Sequence, residues 1–132
     1  MREIRYRGIG IAERKWVFGS LWFDTRNKAT LIWSEELKYW VRVDPATVGQ
    51  YTGLKDEHGK EIYEGDVIRS PLSQDKTRPH RIFYHTGNAA FMGALVDRKE
   101  LCYLRLDQDW IYKFGKEVIG NIHDNPELLK NE

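Results

Sequence analysis

Apolar and polar residues alternate with a period of two along most of the chain, the pattern of half-buried strands. In REIRYR (2–7), Ile4 and Tyr6 fall on one face and Arg5 and Arg7 on the other. KWVFGSLWF (15–23) carries bulky residues on both faces, which predicts a buried strand, bent at Gly19. TLIWS, KYWVRV and TVGQYT continue the series, and in KYWVRV the residues Tyr39, Val41 and Val43 alternate with Lys38, Trp40 and Arg42. Beyond residue 60 come GDVIRS, HRIFYH, AAFMGALV, LCYLRL and EVIGNI. The chain is therefore mainly β, with about ten short strands.

The later strands have an order. After a long polar loop at 70–79, three strands follow with tight turns at TGNA and DRKE, DQDW forms a single 3₁₀ turn, and EVIGNI closes the set. That order predicts an SH3-like small barrel in the C-terminal part, an analogy of fold that confers no function. SEELKYW has room for one helical turn. HDNPELLKNE starts a short C-terminal helix, with Asn125 or Asp124 as N-cap, Pro126 at the first helical position and Glu127 in the first turn. The reading gives an N-terminal β-strand region at 1–50 and a barrel region with its terminal helix at 51–132, packed as one compact unit.

Composition narrows the class of function. The chain has 132 residues, 41% hydrophobic and 31% charged, the make-up of an ordinary globular domain. Its 21 Lys and Arg against 20 Asp and Glu give no bulk attraction for a polyanion. One cysteine, Cys102, excludes an intrachain disulfide and reads as a buried structural thiol. The N-terminus lacks a signal-peptide core and no apolar run reaches membrane-spanning length, so a cytoplasmic location without membrane partners is expected.

No catalytic constellation stands out. Asp56, Glu57, Glu61, Glu64 and Asp66 cluster in TVGQYTGLKDEHGKEIYEGDVI (47–68), without a histidine, serine or lysine in a catalytic spacing beside them. His80 and His85 lie on one predicted strand but, five apart, face opposite sides, so no metal site is expected. Phosphate-loop glycine spacing is absent and no cofactor is expected. Turn chemistry explains much of the central block. Asp56 accepts local N–H groups and Gly59 supplies φ > 0 for a hairpin, while Gly65 and Asp66 form a second tight turn. Tyr51 and Tyr63 would flank the hairpin as a cross-strand aromatic pair. Gln50, Tyr51 and Thr52 are the part that turns do not explain, and so the candidates for a ligand or partner contact. Lys76, Arg78 and Arg81, at or beside the long loop, are the candidates for a nucleic-acid contact.

REIRYRG, the central block and EVIGNIHDNPELL together resemble the YopX-like family of phage and prophage proteins. The motif maps onto Gln50, Tyr51, Thr52, Gly53, Leu54, Asp56, Gly59, Ile62, Tyr63, Glu64, Gly65 and Asp66, with Gly120, Asn121, Asn125 and Pro126 in the tail. The resemblance implies a mainly β, phage- or prophage-encoded protein and no particular activity. The expected function is a non-enzymatic interaction or assembly module, acting through a protein partner or as a homo-oligomer. The alternatives are a nucleic-acid-binding barrel using the 70–81 loop, and an enzyme using the carboxylates between Asp56 and Asp66.

Overall fold

The computed structural model describes residues 2–70, 79–96 and 103–129. They are mainly β, with eleven strands in two antiparallel sheets and one short α-helix. The chain divides into two compact units, Met1–Gly53 and Leu54–Glu132, and the division falls inside a strand.

In the first unit, β1 (Tyr6–Ile9), β2 (Trp16–Asp24), β3 (Ala29–Ser34), β4 (Trp40–Arg42) and the start of β5 (Gly49–Lys55) hydrogen-bond in the order β4-β3-β2-β1-β5. Val17, Ile32 and Val43 form the buried core, with Tyr6, Leu21, Val41 and Val48 packed on it. The sheet curls. Gly10, just past β1, bridges Val43, just past β4. Around that bridge the Ile11 N–H donates to Arg42 O (3.0 Å) and the Asp44 N–H donates to Ile9 O (2.8 Å).

Two expectations fail in this unit. Alternation puts Arg7 on the solvent side, yet Arg7 is buried, its guanidinium 4.5 Å from the Trp16 ring centroid. A desolvated guanidinium over indole gains enough cation–π attraction to offset part of that burial. And β2 is not buried on both faces. Phe18, Trp22 and Phe23 are exposed, while Val17 and Gly19 are buried. At Gly19 the strand approaches Trp33 so closely that an added Cβ would lie 1.7 Å from its carbonyl oxygen.

In the second unit, the end of β5 turns into β6 (Glu61–Tyr63). The remaining strands, β7 (Asp66–Arg69), β8 (His80–His85), β9 (Ala90–Leu95), β10 (Tyr103–Arg105) and β11 (Glu117–Asn121), form a sheet in the order β10-β9-β8-β7-β11. Ile62, Ile68, Ile82 and Ile111 are its core. Ile111 comes from α1 (Gln108–Lys113), which replaces the single 3₁₀ turn expected at DQDW. Asp107 caps this helix, its carboxylate accepting from the Trp110 N–H (2.8 Å), and burying Ile111 gives the segment a reason to wind a further turn. The terminal helix is a 3₁₀ turn, Pro126–Leu129. The SEELKYW segment is a turn, residues 35–39.

Candidate functional site

Two loops of the first unit are built alike. In the first, the Gly10 N–H donates to Lys15 O (2.9 Å) and the Arg14 N–H donates back to Gly10 O (2.9 Å). In the second, the Ser34 N–H donates to Tyr39 O (3.0 Å) and the Lys38 N–H donates back to Ser34 O (2.9 Å). At the same offset each loop holds a basic residue with left-handed backbone, Arg14 (φ 57°) and Lys38 (φ 63°). That conformation costs a non-glycine residue about 1 kcal/mol or more. Each loop then delivers a tryptophan as the first residue of the next strand, Trp16 in β2 and Trp40 in β4.

Between the loops lies a cleft of about 580 Å³. Val17 and Val41 line it and belong to the core cluster, so it reaches down to the hydrophobic interior. Trp16, Phe18, Leu37, Tyr39 and Trp40 supply its aromatic and aliphatic walls, and Phe18, Leu37, Tyr39 and Trp40 are solvent-exposed. The Trp40 ring also packs on Trp22 (5.5 Å between centroids) and on Trp33 (5.6 Å, edge to face). Register explains this, since Trp33 faces Trp40 across β3–β4 while Trp22 faces Leu31 across β2–β3. The cleft therefore continues into an exposed indole cluster. Trp and Tyr dominate binding hot spots.

The charges around the cleft are mixed. Glu13, Glu35 and Glu36 line it together with Lys15 and Arg42, and Glu35 is paired with Arg5 (3.3 Å).

The residues singled out by sequence lie elsewhere. Gln50, Tyr51 and Thr52 are consecutive in β5, where Gln50 pairs with Tyr6. Tyr51 is buried, donates its N–H to Arg5 O (2.8 Å) and lies under the Arg5 guanidinium (5.8 Å), while Gln50 and Thr52 are half-buried.

In the second unit Asp56 is only 2% exposed. Its Oδ1 accepts from the N–H groups of His58 (2.8 Å) and Lys60 (2.9 Å), and its Oδ2 accepts from the Val118 N–H (3.1 Å) in β11. Gly59 closes that turn with φ +83° and Gly65 sits at φ +90°. The Gly65 N–H donates to Ile82 O (2.8 Å) and its carbonyl accepts from Ile122 (2.9 Å). Asp66 accepts from the Tyr63 N–H (2.8 Å). Glu57 and Glu64 flank these turns, Glu57 donating its N–H to Lys116 O (3.0 Å).

His58 Nε2 lies 3.0 Å from Glu117 Oε2. The hydrogen bond to that carboxylate raises the imidazole pKa above its ordinary 6.5. Lys116 is buried with its ammonium 4.6 Å from the Trp110 ring centroid, and burial lowers its pKa from the ordinary 10.5. Arg81 lies over the Phe83 ring (5.1 Å). Lys76, Arg78 and Cys102 lie outside the described residues. His80 and His85 stand at the two ends of β8, the first buried and the second half-buried.

The tail motif is likewise occupied with local structure. Asn125 Oδ1 accepts from the Asn121 N–H (3.2 Å), and Asn121 Oδ1 accepts from His123 (3.0 Å) and Asp124 (2.8 Å).

Sequence reasoning missed the cleft. Its signal was the basic-x-Trp spacing shared by Arg14-Lys15-Trp16 and Lys38-Tyr39-Trp40, each ending a turn between strands.

Among the described residues no helix is long and apolar enough to cross a membrane. Among solved structures the chain is similar to protein EF1440 from Enterococcus faecalis, with 26% identity, a TM-score of 0.64, and coverage of 98% of this chain and 100% of that one. No curated protein matches it. The family model described as YopX protein matches residues 5–130, nearly the whole chain, and the chain belongs to that family.

Proposed function

We propose that this chain is a non-enzymatic interaction module, encoded by a phage or prophage and working in the host cytoplasm, that holds a protein partner in the aromatic cleft of its N-terminal unit. The observation that carries the reading is the cleft itself, about 580 Å³ and continuous with the exposed Trp22–Trp40–Trp33 cluster. Its volume falls within the roughly 300–1,000 Å³ of typical ligand sites. The carboxylates of Asp56 and Asp66 support the reading from the other side. Both are buried and committed to backbone N–H groups, the work of turn-forming residues rather than of an exposed acid–base pair.

Site-specific photo-crosslinking tests the reading. A photoreactive phenylalanine analogue replaces Tyr39, at the cleft, or Tyr112, an equally exposed position in the other unit. In cells carrying the encoding phage or prophage, position 39 should give a discrete protein adduct that disappears with Trp40→Ala, and position 112 should not. Equal labelling at both positions, or none at position 39, would count against the cleft.

A further inference from the structure

The curled sheet leaves a stretch of the β4 edge open, beside the cleft. β4 ends the sheet order and pairs with β3 so that Trp33 opposes Trp40 and Ile32 opposes Val41. The bonds Ser34 N–H to Tyr39 O and Val43 N–H to Thr30 O show which β4 residues turn their backbone toward β3. In an antiparallel ladder this alternates, so Tyr39, Val41 and Val43 face β3 while Trp40 and Arg42 face away. Arg42 O is taken by the Ile11 N–H at 3.0 Å. Past that bond the two chains part, Ile11 entering the 10–15 turn, and the Trp40 N–H and C=O are left facing the gap. Trp40, Ile11 and Glu13 all line the cleft.

We infer that the cleft takes an extended, largely uncharged segment of a partner protein, which adds to the Trp40 edge as a short strand and seats a large apolar side chain among Trp16, Leu37 and Tyr39. This rests on the interaction reading above and names the form of its partner. Strand addition derives affinity from main-chain bonds and specificity from pockets for alternate side chains, and here an open edge and an apolar pocket stand side by side. Residues of the 10–15 and 35–39 turns line the cleft beside that edge. Its charge argues against a polyanion. With Glu35 held by Arg5, the rim offers Glu13 and Glu36 against Lys15 and Arg42, with no excess of cations to receive phosphates.

The test selects a yeast-displayed library of random dodecapeptides on the full chain. Binders are then remade as free peptides, each main-chain amide in turn N-methylated. The expected binders carry two large apolar residues two positions apart and no proline between them. Their affinity should fall about tenfold or more with Trp40→Ala, and with Tyr39→Ala, a change in an exposed turn that leaves the core untouched. N-methylation at one central position should cost about tenfold, through a lost hydrogen bond and a blocked edge. If binders depend on Tyr39 and Trp40 but tolerate N-methylation throughout, strand addition is wrong and the interaction reading stands. If no binder responds to Tyr39→Ala, both are wrong.

Discussion

Replacing Asp56 by alanine should destabilise the C-terminal unit by about 4 kcal/mol. Its carboxylate is buried and holds three N–H groups from two places in the chain, two in the β5–β6 turn and one in β11. A hydrogen bond to a charged group contributes roughly 1.5–3 kcal/mol. The His58 and Lys60 amides belong to exposed residues, so water recovers part of their loss, about 1 kcal/mol remaining for each. The Val118 amide is half-buried in a strand that pairs with β7, and its loss should cost about 2 kcal/mol. For a protein of this size the total corresponds to a fall in Tm on the order of 15 °C. Asp56→Asn keeps one acceptor and should cost about half as much. Urea unfolding monitored by circular dichroism gives the energy, and amide exchange at His58, Lys60 and Val118 locates it. A loss below about 1 kcal/mol, or unchanged protection at Val118, would refute the view that this carboxylate joins the hairpin to β11.

Other changes have equally definite outcomes. Gly19→Ala should cost more than about 3 kcal/mol, because its Cβ would meet the Trp33 carbonyl at 1.7 Å, and thermal melts of the full chain read it directly. Asn125→Ala should cost about 1–2 kcal/mol by removing the acceptor of the Asn121 N–H, measured by urea unfolding. The His58–Glu117 bond should be complete below pH 6.5 and fade as pH rises through the raised imidazole pKa, because a folded-state pKa above the unfolded one contributes stability only while the ring is protonated. An NMR titration should show the His58 pKa falling back toward 6.5 in Glu117→Gln. Single-stranded DNA at low salt should leave tryptophan fluorescence unchanged, and quenching that weakens steeply with salt would favour a nucleic-acid surface instead.

The strands were legible because a period of two survives wherever one face of a sheet is covered. HRIFYH buries His80 and Ile82 in alternation, and GDVIRS and EVIGNI form strands where the sequence placed them, though without alternating burial. What escaped was whatever depends on a distant partner. Arg7 reads as a solvent-facing residue until Trp16 is placed beneath it across the β1–β2 hairpin. DQDW is too short to show helical periodicity, and only the buried Ile111 extends it into a helix. Phe18 and Trp22, in a strand that reads as buried on both faces, look like core residues in sequence, since nothing local says that the face they share with Trp40 is left uncovered. The cleft is the extreme case. It is assembled from two turns about two dozen residues apart, and apart from the short basic-x-Trp that ends each, their likeness lies in hydrogen bonding and left-handed backbone. The central block drew attention because its residue types are unusual, yet Asp56, Gly59, Gly65 and Asp66 earn those identities through backbone geometry.

The most direct test of the cleft as the working surface is the exchange rate of the Trp40 amide, measured on the full chain with and without a saturating amount of the tightest selected dodecapeptide. This amide should slow by tenfold or more on binding, since it gains a hydrogen-bond acceptor at an edge that was open. Unchanged exchange at Trp40, with protection appearing instead along Gln50–Thr52 or the Asp56–Asp66 turns, would contradict that role for the cleft.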